Sequence, residues 1–347
     1  MKYSRVFIDA LGYELAPVVV SSEELEERLA PLYKSKRMSV GQLQALTGIR
    51  ERRWWDEGYT LTEGATRAAR HALDQSTVEC GDIGTFVYTG VNRENFEPAT
   101  ACHVAAELGI AGRAHIYDIS NACLGVLNGI FDIANQIELR QIKAGMVVSC
   151  ETAREINDIM IQRMLEDMGM EVFAKSMATL TGGSGAAAVL LTDGSFDSQD
   201  KHRLIGGVSL SAPEHHELCY WGLSPENGQN VRQVMVTDAV SVLKHGVELG
   251  EKTWQALCQE LSWTSESIDK VICHQVGKAN QQTILKTIGV SVEKDFSTFE
   301  YLGNMGTVSV PLTAALADER GFMEPGNNVA FLGIGSGLNC MMLGIEW

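Results

Sequence analysis

The stretch DISNACLGVLNG, residues 118–129, decides how this chain is read. Just ahead of it, residues 114–119 (AHIYDI) are short, apolar and β-prone. Behind Cys123, apolar side chains recur at Leu124, Leu127, Ile130, Ile133 and Ile137, the spacing of one helix face. Cys123 therefore stands where a strand gives way to a helix, and the spacing predicts that it caps the helix N-terminus. That end of a helix presents unpaired N–H groups and about half a positive charge. Such an environment lowers a thiol's pKa and favours the nucleophilic thiolate. A cysteine considered alone also reads as a small buried hydrophobe, so the case rests on the rest of the chain.

Working outward, strand-like segments recur at 84–89, 145–150 and 185–192 with helices between them, the alternation of an α/β fold. The first 80 residues read as a strand, a charged helix at about 21–33 and an alanine-rich helix at 63–72. After a polar hinge at 193–203 (DGSFDSQDKHR) the pattern starts again. IDKVICHQV (268–276) parallels IGTFVYTGV (83–91). FEYLGNMGTVSVPL (299–312), read as an extended piece running into a helix, parallels residues 116–130. NVAFLGIGS (328–336) parallels GMVVSCET (145–152). Matching order at similar spacing predicts two copies of one βαβ-containing half, residues 1–196 carrying the cysteine and 197–347 carrying a histidine and an asparagine of interest.

Composition narrows the classes of function. A chain of 347 residues with 45% hydrophobic content and seven prolines is expected to bury a large core. The formal net charge of −16 argues against nucleic acid or an anionic membrane surface as a partner. One local exception is a basic patch of Arg50, Arg52 and Arg53, which with Trp54 and Trp55 would contact an anionic cofactor tail. The eight cysteines, at 80, 102, 123, 150, 219, 258, 273 and 340, lack CxxC pairs or metal-ligand spacing, so neither a metal site nor a disulfide framework is expected. Asp9 and Glu14 interrupt the N-terminal apolar segment, and no uncharged run of 18 apolar residues occurs. A cytoplasmic protein without a membrane span is expected. Residues 156–180 are helix-prone and hold Met160, Met164, Met168, Met170 and Met177. Methionine packs adaptably around apolar ligands, so this segment is expected to line or cover a channel for an apolar chain, with Met160 and Met164 as candidate contacts.

His274, in VICHQVGKAN, follows a β-prone run, and Asn304, in YLGNMGTVS, lies between Gly303 and Gly306. Open α/β sheets gather functional groups at such strand ends. Cys, His and Asn at three junctions resemble the thiolase-like condensing enzymes, specifically the Cys-His-Asn branch that contains ketoacyl synthase III. The resemblance covers essentially the whole chain: DISNACLG at Cys123, CHQVGKANQ at His274, GNMGTVS at Asn304, TGGSGAAAVLL from Thr181 and LGIGSGLN from Leu332. It implies a five-layered αβαβα thiolase fold of two similar halves, a homodimer, no permanently bound cofactor, and coenzyme A thioesters as substrates. By the same resemblance, Cys123 accepts an acyl group, and the N–H groups of Cys123 and Ser336 form the oxyanion hole. Neutral His274 and Asn304 then hydrogen-bond an enolate oxygen, where a carboxylate would repel it.

Within this group, NRENFEPATA (92–101) resembles the segment that supplies a catalytic glutamate in OleA-type enzymes, which join two fatty acyl-CoA molecules head to head at the start of long-chain olefin synthesis. That resemblance makes Glu97 the base for an α-proton and implies that it reaches across the dimer. RRWWD after TGI extends the match, whereas Gln42 and Leu46 stand where ketoacyl synthase III commonly has Trp and Arg around the adenine of CoA. The expected activity is a non-decarboxylative Claisen condensation of two long-chain acyl-CoA molecules to a 2-alkyl-3-ketoacyl product, with downstream olefin-pathway enzymes as possible partners. The alternatives are a ketoacyl synthase III using acyl-CoA and malonyl-acyl carrier protein, and an inactive acyl-binding partner subunit.

Overall fold

The apolar runs fold as thirteen strands in a computed structural model that describes residues 1–197, 201–226 and 230–347. They are β1 (Phe7–Leu15), β2 (Val18–Ser21), β3 (Glu51–Trp54), β4 (Ile83–Thr89), β5 (His115–Ile119), β6 (Ala144–Glu151), β7 (Gly185–Thr192), β8 (His202–Ser211), β9 (Cys219–Glu226), β10 (Asn230–Thr237), β11 (Lys270–Cys273), β12 (Asn328–Gly335) and β13 (Asn339–Glu346). Strands β6 and β7 are buried along their whole length, as strands covered on both faces must be.

Nine strands form a continuous sheet in the order β11-β12-β13-β8-β1-β7-β6-β4-β5, and its pairings repeat. On one side β4 runs parallel to β5 and β6, followed by antiparallel β7 and β1. On the other, β11 runs parallel to β12, followed by antiparallel β13 and β8. The counterpart of β5 is a single parallel bridge from Asp295 to Val271. The repeated motif seen in the sequence is thus a repeated topology. The two sets meet where Phe7 and Ile8 pair with Arg203 and His202. Residues 198–200 of the expected hinge lie outside the described residues.

Five layers follow. The central one holds the helices Gly125–Glu138 and Ser309–Glu319, which contribute Leu127, Ile130, Phe131, Val310 and Ala314 to a core shared by both halves. Outside the first half of the sheet, β1-β7-β6-β4-β5, lie Leu61–Leu73 and Thr100–Leu108. Outside the second lie Ala239–Leu261 and Lys278–Ile288. Each large aliphatic side chain sequestered here contributes about 1.5–3 kcal/mol.

Three local expectations are corrected. The charged helix at 21–33 is two helices, Ser22–Arg28 and Ala30–Lys36, broken at Leu29. Pro31 opens the second helix, because its missing N–H and its ring cannot be accommodated inside a continuous one. The expected extended piece at 299 is a short helix, Phe299–Leu302, since Gln275 Oε1 accepts from the N–H groups of Thr298 and Phe299 and caps that turn. Cys123, finally, does not cap an α-helix. It lies in a 3₁₀ turn, Ala122–Leu124, and the α-helix begins at Gly125.

Candidate active site

The Cys123 turn is held from both sides. Ala122 takes a left-handed φ of 44°, a conformation that costs a non-glycine residue of order 1–3 kcal/mol and persists only where the surroundings impose it. Leu124 N–H donates to Asn121 O, and Val126 N–H donates at 2.8 Å to Thr307 Oγ1, three residues beyond Asn304. The first turn of the cysteine's helix is therefore capped by the other half of the molecule. At the end of β12, Gly335 lets the backbone come close to Cys123: a side chain there would stand 3.4 Å from Cys123 N and 3.2 Å from Leu124 Cγ.

His274 follows β11, whose end is clamped. Cys273 N–H donates to Asp295 Oδ1, Gln281 Nε2 donates to Asp295 Oδ2, and Gln275 Nε2 donates to Cys273 O. His274 N–H donates to Leu332 O. Enclosure without a charged partner lowers the imidazole to about 4, so the ring is neutral, and its Nδ1 has no protein partner.

Asn304 sits on a turn docked against the TGG motif. Its N–H donates to Thr181 O and its C=O accepts from Gly183 N–H. Gly303, at φ 71°, passes so close to Thr181 that a side chain would lie 2.5 Å from that carbonyl. Asn304 Oδ1 accepts from Gly306 N–H at 3.1 Å, which leaves the amide nitrogen as the donor available to a ligand.

Cys123, His274, Asn304 and Ser336 share the wall of one cavity of about 1060 Å³, at the top of the range of about 300–1,000 Å³ usual for ligand pockets. Its wall is largely apolar, with Phe173 and Met177 on one side and Leu243 and Val247 on another. Burial pushes the Cys123 thiol up to about 12, with nearby Cys219 and Glu151 adding to the rise. The expectation of a lowered thiol is therefore corrected. The α-helix starts beyond the cysteine, and the apolar enclosure penalises the thiolate more than one turn of backbone dipoles favours it. The resting pair is a neutral thiol and a neutral imidazole.

The remaining sequence candidates fall elsewhere. Glu97 is exposed on the 91–98 loop, beside the fully exposed Phe96, and does not line its own chain's cavity. Arg52 is completely buried, donating to Val20 O and Ser22 Oγ. Arg50 is exposed and faces Glu51, while Arg53 Nε is buried. Alternation along β3 turns neighbouring residues to opposite faces, so the three arginines form no patch. Trp54 and Trp55 are buried as well, their indole N–H groups donating to Gly182 O and Glu151 O. Met160 and Met164 are buried away from the cavity, whereas Met170 and Met177 of the same segment line it. Leu46 also lines the cavity, and Gln42 does not.

Sequence reasoning missed Glu151, the one carboxylate on the cavity wall among the described residues. It ends β6, the same strand-end position that drew attention to Cys123 and His274. Burial raises it from an ordinary 4.5 to about 7, against the lowering effect of hydrogen bonds from Val91 and Asn92 and of the Arg93 charge. Among the described residues no group of three or more His, Cys, Asp or Glu could hold a metal, and no helix is long and apolar enough to cross a membrane.

Residues 258–347 match the family described as 3-oxoacyl-[acyl-carrier-protein (ACP)] synthase III C terminal. The chain is 60% identical to an acyl-CoA:acyl-CoA alkyltransferase of Shewanella oneidensis, covering 100% of both chains, and 35% identical to one of Xanthomonas campestris at the same coverage. It is 27% identical to a beta-ketoacyl-[acyl-carrier-protein] synthase III of Natranaerobius thermophilus, covering 99% of this chain and 100% of that one. Among solved structures it is similar to cerulenin-bound Xanthomonas campestris OleA, with 35% identity, 100% and 98% coverage and a TM-score of 0.93. It is also similar to a cysteine-to-serine variant of OleA with bound lauric acid and lauroyl-CoA, with 34% identity, 99% and 100% coverage and a TM-score of 0.91.

Proposed function

The chain belongs to the acyl-CoA:acyl-CoA alkyltransferase family, and from that premise we propose that it joins two fatty acyl-CoA molecules head to head through an acyl group carried on Cys123. The observation that carries this reading is the meeting of Cys123, neutral His274 and Asn304 on the wall of a large apolar cavity. A resident cofactor plays no part in the scheme; the coenzyme A thioesters are substrates.

In the first half-reaction the Cys123 sulfur attacks the thioester carbonyl of one acyl-CoA. Its proton passes to His274 and on to the departing coenzyme A thiolate. The carbonyl oxygen, negative in the transition state, is held by the N–H groups of Cys123 and Ser336, an arrangement supported by the close approach of residue 335 to Cys123 N. Each such donor is worth about 2.7–4 kcal/mol. In the second half-reaction a base removes the α-proton of the second acyl-CoA, and the enolate oxygen is held by the His274 and Asn304 N–H groups. The α-carbon attacks the Cys123 thioester, a carbon–carbon bond forms, the carbon–sulfur bond breaks, and the thiolate recovers a proton from the protonated base. The product is a 2-alkyl-3-ketoacyl thioester, or its acid after hydrolysis.

Glu97 is that base, supplied from a second copy of the chain. Its outward display on an exposed loop supports a role in a neighbour's cavity rather than its own. Residues 1–196 and 197–347 act as the two halves, the first supplying the acyl acceptor and the second the enolate donors. Glu97→Ala separates the two steps. After incubation with lauroyl-CoA, intact-mass measurement is expected to find an acyl adduct on Cys123 that accumulates while condensed product is sharply reduced. Condensation at the wild-type rate in Glu97→Ala would remove Glu97 from the mechanism, and absence of any adduct would remove Cys123.

A further inference from the structure

The carboxylate of Glu151 has two sides. One borders the cavity, where it lies against the Asn304 turn: a side chain at Gly306 would stand 3.5 Å from its carboxyl carbon. The other faces the start of the 91–98 loop. Oε1 accepts from Val91 N–H and Oε2 from Asn92 Nδ2, both at 2.9 Å. Asn92 Nδ2 also reaches Thr152 O, and Tyr88 Oη donates to Asn92 O. Farther along, Arg93 faces Asp118 at 3.6 Å, and Glu94 Oε2 accepts from Thr62 N–H. Beyond these ties the chain runs outward through exposed Asn95 and Phe96 to Glu97. Of the side chains that hold the loop's root, Glu151 alone among the described residues is in the cavity that holds Cys123.

We propose that Glu151 is the positioning residue of the 91–98 loop, its carboxylate gripping Val91 and Asn92 from the cavity wall so that Glu97 at the far end is presented in one place. This rests on the assignment of Glu97 as the base. An ionised carboxylate offers both oxygens purely as acceptors, which suits the two donors facing it; a protonated one carries a hydrogen toward groups that are donors themselves. The charged or titratable groups around it are Arg93 on the loop, Tyr88 of β4, Cys150 beside it and Cys123 across the cavity. Of these, Glu151 changes charge near neutrality, at about 7. The condensing step therefore strengthens as pH rises through that value.

The test compares wild type, Glu151→Gln, Glu151→Asp, Glu97→Ala and the Glu151→Gln/Glu97→Ala double variant in the full-length protein, with myristoyl-CoA. In Glu151→Gln, acylation of Cys123 is expected to stay within about twofold of wild type. Condensation is expected to fall about 10- to 100-fold, the scale of a reacting group displaced by about an ångström. The rise in condensation near pH 7 should vanish in Glu151→Gln, Glu151→Asp should recover part of the rate, and the double variant should be no slower than Glu97→Ala alone. Parallel loss of acylation, losses that multiply in the double variant, or no loss at all would each overturn the proposal. Amide hydrogen exchange separates this outcome from failure of the base assignment. Val91 and its neighbours in 91–98 should exchange faster in Glu151→Gln whatever Glu97 does, and unchanged exchange overturns the positioning role even if Glu97 proves to be the base.

Discussion

Enclosure sets the protonation of each reactive group in the cavity, and it does so in opposite directions. It holds the Cys123 thiol and the His274 ring neutral and keeps a proton on Glu151 up to about pH 7. Because the folded pKa of Glu151 lies above its ordinary 4.5, its contribution to stability is complete below pH 4.5 and is lost as pH rises through about 7. The change is on the order of 3 kcal/mol. His274 has the opposite sign, its folded value having fallen from 6.5 to about 4, so stability drops as pH falls through that window. Urea unfolding of wild type and Glu151→Gln at pH 4.5 and 8 isolates the first effect, since the histidine is common to both proteins. The variant is expected to gain roughly 3 kcal/mol on wild type over that interval; a pH-independent difference would mean that Glu151 is not buried as a proton-holding acid. Cys123, His274 and Asn304 were visible in the sequence because their motifs are local. The arginines and methionines were misplaced because burial is decided by pairing and packing. Arg52 is inside because β3 pairs with β2 and turns it onto Ser22.

The elements are legible where local pattern and tertiary environment agree. The run 185–192 is strand β7 residue for residue, and the helical spacing from Leu124 is the helix Gly125–Glu138. They are least legible where a distant group decides. Pro31 is a local signal of the break between the first two helices that the reading of one helix at 21–33 passed over, whereas the cap that Gln275 provides at Thr298 and Phe299 comes from a strand end 23 residues away. The start of the cysteine's helix is decided in the same manner, by Thr307 in the opposite half. Thr307→Val keeps the side-chain shape and leaves the buried Val126 N–H without an acceptor. Thermal or denaturant unfolding is expected to show a loss of about 1–3 kcal/mol, most of it restored by Thr307→Ser. An unchanged stability would mean that the contact between the halves contributes nothing to the turn that holds Cys123.

At the scale of the whole molecule, repetition makes the site. Each half ends its parallel strands at the same level, so the end of β5 leads into Cys123, that of β11 into His274, and that of β12 into the Gly335–Ser336 turn. The repeat was readable in the sequence because equivalent segments keep their order. Which methionines line the cavity, where Glu97 points and the presence of Glu151 on the wall were not, because those depend on how the layers close around the central helices. The cavity condenses two acyl-CoA molecules without a malonyl donor, and the decisive measurement gives the purified protein [1-14C]myristoyl-CoA as the sole substrate and separates the products. A labelled β-keto acid or ketone built from two myristoyl chains, absent in Cys123→Ala and sharply reduced in Glu97→Ala, is the expected result. A requirement for malonyl-acyl carrier protein, with release of carbon dioxide and no product from myristoyl-CoA alone, would contradict it.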